Sequence, residues 1–389
     1  MIAEKNISEN ASPTYFQNLD VIRFFSAFMI IIFHAFYGWK DNRGFPKFLT
    51  DDSGQLSAFG KLIENGMHNL VLNVEVFFMI SGFVITHLLL AEKEKSEKVN
   101  LGRYYIRRAL RILPLYYIVL GLTPLYNYYY NEATPHYLNF IFMGGNFELI
   151  QRGWGAATVN PLWTLCIEAQ FYLIWPLLVA FIPRKWLMHV FSFIILMSVA
   201  FRISVFHSEN WWMTIYMHTL SRIDVIAVGA IIALIYHNNK NISLTIPRWI
   251  RLMVYSVFLF VYFTDDAGYI DSLFLVSVKK YFYVLVIAFA LMNYLFNPTA
   301  MFAPKRQTIF HSLGKITYGT YIFNVLVVAL VIKTYNANGF QNIFLFYLTI
   351  GVCSISVATL SYFLIERPFM NLKNNFFILK FFESKKGEE

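Results

Sequence analysis

Ionisable residues recur inside the long apolar runs of this 389-residue sequence. A charged side chain within a membrane is costly, so by default it marks a functional site or an ion pathway. Measured by helical rise from the ends of the runs, six such residues lie in the third of the membrane next to the outside: His34, Glu75, Glu168, Arg202, Arg222 and Asp224. Their shared depth predicts a polar chamber that opens to the outside.

A catalytic role and a structural role are both open interpretations of these six residues. Charges near helix ends also extend to the interface or form structural ion pairs, and that alternative stays open for Arg202, Arg222 and Asp224. His34 and Glu168 favour chemistry, because a carboxylate can orient an imidazole and raise its basicity for taking a proton.

The spacing of Arg23 and His34 places both on one helix face. Eleven steps of about 100° return to within roughly 20° of the starting direction. The two side chains are then about 16 Å apart along the axis, with Arg23 nearer the cytoplasm. A ligand of that length would touch both.

A cluster of arginines precedes the third apolar run. Arg108 and Arg111 are three residues apart and share a helix face, with Arg103 and Arg107 nearby. The planar guanidinium makes paired hydrogen bonds to phosphate, so the cluster is a candidate phosphate site. The retention of positive charge on the cytoplasmic side explains such a cluster equally well.

Motifs of soluble enzymes and metal sites are absent. The sequence has no G-x-S-x-G and no H-E-x-x-H, and the Gly314-Lys315 fragment lacks the rest of a phosphate loop. Cys166 and Cys353 lie in separate apolar runs without metal-ligand spacing. We therefore expect no metal and no tightly bound cofactor.

The composition indicates that these residues are positioned by membrane helices. The chain is 57% apolar and 14% charged, against about 45–50% and about 25% in soluble proteins. Disorder and a disulfide-stapled module are excluded. Nucleic acid is not expected despite the net charge of +9, because the basic residues lie between apolar runs. No cleavable signal peptide is expected, and the first run is taken as a span.

Ten apolar runs are long enough to cross a bilayer as helices. They are 21–38, 71–91, 112–131, 162–182, 186–206, 219–237, 249–264, 278–296, 316–334 and 343–365. With both termini inside, the inner segments hold 21 Lys and Arg and the outer ones 8. This bias predicts an all-α polytopic protein with its N- and C-termini in the cytoplasm. No soluble domain is left over, so residues 1–389 form one membrane domain.

Seven segments resemble, in order, the acyltransferase type 3 family of integral-membrane O-acyltransferases. The segments are LDVIRFFSAFMIIIFHA (19–35), VEVFFMISGFVIT (74–86), RYYIRRALRILPLYY (103–117), PLWTLCIEAQFYLIWPLL (161–178), TLSRIDVIAVGA (219–230), LGKITYGTYIFN (313–324) and SYFLIERPF (361–369). Three positions depart from the family pattern: Glu75 replaces Asp, Thr164 replaces Ser and Asn324 replaces His. The resemblance covers the membrane domain, without the esterase-like domain that many members carry.

The resemblance implies transfer of an acyl group, usually acetyl, from cytoplasmic acetyl-CoA to a carbohydrate hydroxyl outside the plasma (inner) membrane. Acyl-CoA would be a donor substrate held by Arg23, Arg108 and Arg111. His34, oriented by Glu168, would take the hydroxyl proton or carry the acyl group. The remaining charged residues are candidates for binding substrate or its oxyanion: Arg202, Arg222, Asp224 and Glu75.

The rival function is a transporter or flippase for an envelope glycan precursor, because charges in spans also form translocation paths. Transport favours internal pseudo-symmetry, and the sequence has no corresponding halves. A structural subunit of an envelope complex is a third possibility, for which a polar chamber has no use. The acceptor stays open among lipopolysaccharide, capsule, peptidoglycan, exported oligosaccharide and lipid-linked sugar.

Overall fold

The computed structural model describes residues 16–132, 134–239, 246–265, 273–297 and 309–372. Within these ranges the chain is helical apart from short connections and one antiparallel bridge, Thr50 to Leu56. The helices are α1 (Gln17–Arg43), α2 (Ala58–Asn69), α3 (Asn73–Ser96), α4 (Leu101–Tyr130), α5 (Tyr137–Ile141), α6 (Gly145–Arg152), α7 (Leu162–Phe181), α8 (Arg184–Val205), α9 (Trp211–Met217), α10 (Thr219–Asn238), α11 (Arg248–Thr264), α12 (Leu273–Phe296), α13 (Ile309–Gly314), α14 (Thr317–Ile322), α15 (Asn324–Ala337), α16 (Ile343–Ser361) and α17 (Arg367–Leu372).

Eight helical stretches of the described chain are long and apolar enough to cross a membrane. They are Leu19–Arg43, Ala58–Ser96, Leu101–Tyr130, Leu162–Phe181, Arg184–Val205, Trp211–Asn238, Lys279–Phe296 and Ile343–Leu372. The expected all-α polytopic membrane protein is thereby confirmed. The predicted span 249–264 corresponds to α11, which has 17 residues, and 316–334 is divided between α14 and α15. The count of ten spans and the orientation of the termini stay predictions.

The bundle has two sides, which we name by the direction of α1. On the proximal side α1, α4 and α8 begin, and α3, α7 and α10 end. There Lys93 of α3 donates a hydrogen bond to the Val179 carbonyl of α7 (2.8 Å). On the distal side α1 ends, and its Lys40 pairs with Glu64 of α2 (2.6 Å).

Two glycines let α3 and α10 pack backbone against backbone. A Cβ atom on Gly82 would lie 2.0 Å from the Ile226 carbonyl oxygen, and one on Gly229 would lie 2.0 Å from that of Met79. Small residues at such crossings are a usual device of membrane helices. The close approach brings polar side chains of the two helices within reach of each other at both ends.

The start of α7 lies below the distal surface, because α6 and α9 cover it. Gln170 of α7 donates to the Asn146 side chain of α6 (3.0 Å), and Asn146 donates to the Met217 carbonyl of α9 (3.2 Å). Residues 161–167 are all buried. The first residue of α7 is therefore not a marker of the membrane surface.

Helix α4 begins well before the apolar run that predicted it. The Asn100 side chain accepts a hydrogen bond from the Arg103 amide (2.9 Å) and caps the helix at Leu101. Arg108 and Arg111 are therefore seven and ten residues inside α4, about 10 and 15 Å along its axis. Their expected position at the cytoplasmic face of the membrane stays a prediction.

Candidate active site

A cavity of about 90 Å³ lies between α1, α3, α4, α7 and α14. We call it the central cavity. Its polar lining contains three cations, Arg23, Arg108 and Arg111, together with the carboxylate of Glu168.

Glu168 is held by neutral hydroxyl groups. Its carboxylate accepts hydrogen bonds from Ser81 (2.9 Å) and Tyr172 (3.3 Å). The nearby charges of Arg23 and Arg111 interact with it electrostatically, although neither forms a described ion pair with it. Glu168 thus lies among the arginines without neutralising any of them by direct contact.

The arginines of α4 are available to an anion. The Arg108 guanidinium lies over the rings of Tyr104 (5.6 Å) and Tyr172 (5.4 Å). Arg111 is exposed and Arg108 is half-buried. Within the described ranges, neither forms an ion pair with a carboxylate. Arg23, by comparison, lies 3.6 Å from Asp20.

A second and larger space, the proximal cavity, adjoins the first. Its volume is about 980 Å³, at the upper end of the roughly 300–1,000 Å³ of small-molecule sites. Arg108 and Arg111 line both cavities, and Arg103 and Arg107 line the proximal one. The four arginines therefore share one concave site, which has the volume to hold a nucleotide-sized ligand.

His34 lies on the distal half of α1, outside the lining of both cavities. It is half-buried, and its ring packs edge-on against Phe33 (5.1 Å between centroids). No described residue forms a hydrogen bond with either of its ring nitrogens. A substrate hydroxyl would therefore meet no competing protein partner at this imidazole.

The structure does not bring His34 and Glu168 together. Glu168 lies level with Ser81, eight residues into α3, and interacts with Arg23 at the other end of the Arg23–His34 face. The expected pairing assumed equal depths counted from the ends of the apolar runs. The buried start of α7 makes that count misleading.

Arg222 and Glu75 form an ion pair between α10 and α3. The Arg222 Nε atom also donates to the Tyr216 carbonyl (2.6 Å), and the guanidinium lies over the Tyr216 ring (4.9 Å). Glu75 is six residues before Ser81, so the pair lies about 9 Å nearer the distal surface than Glu168. The six predicted residues are thus divided among separate sites.

Arg202 and Asp224 are the fully buried members of one hydrogen-bond network. Asp224 accepts from Arg202, Lys280 and Tyr281, each at 2.9 Å. Arg202 also donates to Ser198 and to the Ser221 carbonyl. Both side chains are inaccessible to solvent. This geometry favours the structural alternative for Arg202 and Asp224, because their hydrogen bonds are used within the protein.

Replacing Asp224 should therefore destabilise the fold. Asp224→Ala leaves Arg202 and Lys280 buried without their carboxylate, and removal of one member of a buried ion pair costs about 3–5 kcal/mol. We expect a markedly lower thermal unfolding temperature in detergent. Lys279→Ala is the matched control, because its 2.6 Å contact with Asp265 is partly exposed and is worth about 1 kcal/mol or less. Equal losses in the two variants would contradict this interpretation.

Several polar groups at these sites were not identified from sequence. Lys280 and Tyr281 both fall in the apolar run 278–296, and no local pattern distinguishes Ser81 or Tyr172. Glu366 is buried beneath α14 after a π-helical turn, accepts from Ser361 (3.3 Å) and interacts electrostatically with Arg111. The sequence predicts no role for this residue. The π-turn, a feature frequent at functional sites, is visible only in the structure.

Asn324, which replaces the family's usual histidine, is fully buried at the start of α15. Its amide nitrogen donates to the Tyr321 carbonyl (2.5 Å), while Oδ1 has no partner among the described residues. Tyr321 lines the central cavity and accepts a hydrogen bond from Thr164 (2.9 Å). The substitution therefore lies one helical turn from the wall of the cavity.

Comparisons with known proteins find matches over most of the chain. The family described as "Acyltransferase domain" matches residues 16–363. O-acetyltransferase OatA of Staphylococcus aureus strain NCTC 8325 / PS 47 is 25% identical over 99% of this chain and 62% of its own length. Peptidoglycan O-acetyltransferase OatA of Listeria monocytogenes strain EGD-e is 24% identical over 94% and 57%. The chain thus spans less than two thirds of these relatives. No solved structure is significantly similar to it.

Proposed function

This chain belongs to the acyltransferase domain family, and from that membership we propose that it is an integral-membrane O-acetyltransferase. It moves an acetyl group from acetyl-CoA in the cytoplasm to a hydroxyl of a cell-envelope carbohydrate. The observation that carries the proposal is the convergence of Arg23, Arg108 and Arg111 on the central cavity. Peptidoglycan, named for the Listeria relative, is the first acceptor to test.

The donor binds on the proximal side. Its phosphates contact the arginines of α4 in the proximal cavity, where two of the guanidiniums, those of Arg108 and Arg111, have no carboxylate partner among the described residues. Charge-assisted hydrogen bonds of this kind are the stronger ones in proteins. The thioester arm then extends into the central cavity, which is much smaller than the proximal cavity that receives the nucleotide.

His34 removes the proton of the acceptor hydroxyl. The hydroxyl oxygen attacks the thioester carbonyl, the carbon–sulfur bond breaks, and CoA leaves as a thiolate that takes up a proton. An acyl group carried transiently by His34 is the alternative route. The distance of about 16 Å between Arg23 and His34 along α1 requires a donor arm of that reach. Both routes are supported by the ring nitrogens of His34, which have no hydrogen-bond partner among the described residues.

Glu168 and Arg222 have positioning and electrostatic roles in this scheme. Glu168, fixed by Ser81 and Tyr172, provides a negative charge that orients the neighbouring guanidiniums before the donor arrives. Arg222 is the better candidate for stabilising a developing oxyanion, because Arg202 is inaccessible to solvent and both of its terminal guanidinium nitrogens donate within its own network.

Labelled acetyl transfer by the purified protein tests the function. The protein in lipid nanodiscs is given acetyl-labelled CoA and soluble peptidoglycan glycan strands. We expect labelled ester on the glycan and release of an equal amount of CoA. Vesicles that move glycan across the bilayer without forming an ester would instead support the transporter.

The proposed orientation predicts which residues an impermeant maleimide reaches. Phe48 and Trp186 are both exposed, on the distal and proximal sides respectively. In a Cys353→Ser background, Phe48→Cys should react in intact cells, and Trp186→Cys only after permeabilisation. The reverse pattern would place the arginine cavity outside and contradict a cytoplasmic donor.

A further inference from the structure

Four aromatic side chains form a cluster on the distal side that the reaction scheme does not use. Tyr216 lies at its centre and packs against Trp212 (5.2 Å, stacked), Trp163 (5.0 Å) and Trp154 (6.2 Å, edge-on). We call this set the distal aromatic cluster. Trp154 and Trp212 are about half exposed, whereas Trp163 is buried. The cluster therefore presents aromatic surface outwards from a fixed base.

A buried charged pair underlies these rings. The Arg222 guanidinium lies 4.9 Å from the Tyr216 ring centre and 5.9 Å from that of Trp163. Its partner Glu75 is 4% exposed, and the Oε2 atom of Glu75 has no hydrogen-bond partner in the described part of the chain. A buried carboxylate oxygen without a donor is costly. It is a ready acceptor for a hydroxyl group.

The cluster packs against the wall of the central cavity. Trp163 precedes Thr164, which lines that cavity, and the Trp163 ring packs against Phe78, another lining residue (6.4 Å). In sequence, Glu75 lies between Val74 and Phe77, and both of these residues line the cavity together with Phe78. A ligand on the distal aromatic cluster would thus lie on the distal side of the central cavity, next to its wall.

We infer that the distal aromatic cluster is the acceptor subsite and that its ligand is a sugar ring. Pyranose rings have apolar C–H faces that pack on aromatic rings, and hydroxyl edges that need charged or polar partners. Trp154, Trp212 and Tyr216 provide the faces, while Glu75 and Arg222 provide the polar contacts. This inference rests on the proposed function, since a sugar is the acceptor proposed there.

A belt of interfacial aromatic residues is the competing explanation. Such a belt anchors the protein to lipid headgroups through scattered rings. It requires neither a shared packing centre nor a desolvated ion pair beneath it. The two explanations differ in what they predict for glycan affinity, because a lipid anchor does not contact the acceptor.

Calorimetric titration of soluble peptidoglycan glycan strands into the nanodisc protein distinguishes them. Trp212→Ala and Trp154→Ala should each weaken glycan binding about tenfold, with unchanged affinity for CoA. Trp212→Phe should retain most of the affinity, because it keeps an aromatic face. Trp249→Ala, at an exposed residue of α11, is the matched control and should bind as the unaltered protein does.

Glycan affinity that is unchanged in Trp212→Ala and Trp154→Ala would overturn the inference, and so would unaltered protein that binds no glycan. An equal loss of CoA affinity would also contradict it, since that indicates a general defect. Acetyl transfer is measured separately. If the protein binds glycan through the cluster and transfers no acetyl, the proposed function fails while the cluster stands as a sugar-binding site.

Discussion

His34→Ala is expected to lower acetyl transfer by about 10²–10⁴-fold, the usual contribution of a general base. The effect should be large because the two ring nitrogens of His34 have no described protein partner and are open to substrate. Affinity for acetyl-CoA should change little, since the phosphates bind far from His34. Steady-state transfer with labelled acetyl-CoA, together with CoA titration, measures both quantities.

The matched control is His68→Ala. His68 is also half-buried on the distal side, but its Nδ1 atom lies 3.2 Å from the Tyr37 hydroxyl and is therefore engaged within the protein. We expect it to retain most of the transfer activity. Added imidazole should partly restore transfer to His34→Ala if the side chain moves a proton. Full activity in His34→Ala would exclude it as both base and acyl carrier.

Arg108→Ala and Arg111→Ala should each weaken acetyl-CoA binding by about 10–150-fold. That range corresponds to the roughly 1.5–3 kcal/mol of a hydrogen bond to a charged group. Both guanidiniums line the central and proximal cavities without a described carboxylate partner, so a phosphate would be their principal anion. The rate at saturating donor should fall less than the affinity. Titration calorimetry and donor saturation curves separate the two effects.

Lysine variants sharpen this experiment. Arg108→Lys and Arg111→Lys keep the charge and lose the planar fork, so intermediate affinities indicate paired hydrogen bonds to phosphate. Arg152→Ala removes an exposed arginine that lies on the distal side and should bind CoA normally. If the alanine variants also bind CoA normally but insert in inverted orientation, the arginines of α4 act only as topology anchors.

The membrane environment and the all-α class could be predicted from sequence, because both depend on local composition. The length of an apolar run decides by itself whether it can cross a membrane as a helix. Eight of the ten predicted runs are found as long apolar helices. The arginines of α4 were identified for a similar reason, since i and i+3 positions share a helix face in any surroundings. The start of α4 could not be predicted from the apolar run, because the polar cap at Asn100 begins the helix before that run.

The partners of the buried charges could not be predicted in this way. Counting from the ends of the runs put Glu168 beside His34, whereas α6 and α9 cover the start of α7 and place Glu168 level with Arg23. Likewise the run 278–296 gives no partner for Lys280, which lies with Arg202 and Tyr281 around Asp224. Each pairing depends on the rotation and offset of two helices that are distant in sequence.

The sequence by itself determined that the chain lies in lipid, that it is helical, that arginines cluster on one helix face, and that Arg23 and His34 share another. These properties follow from periodicity within one segment. Only the tertiary structure decided that Arg23, Arg108, Arg111 and Glu168 surround one cavity, that Arg202 and Asp224 are consumed in a buried network, and that His34 stands apart. Charge pairing in lipid is set by distances between helices, and those distances are fixed by packing at contacts such as Gly82 and Gly229.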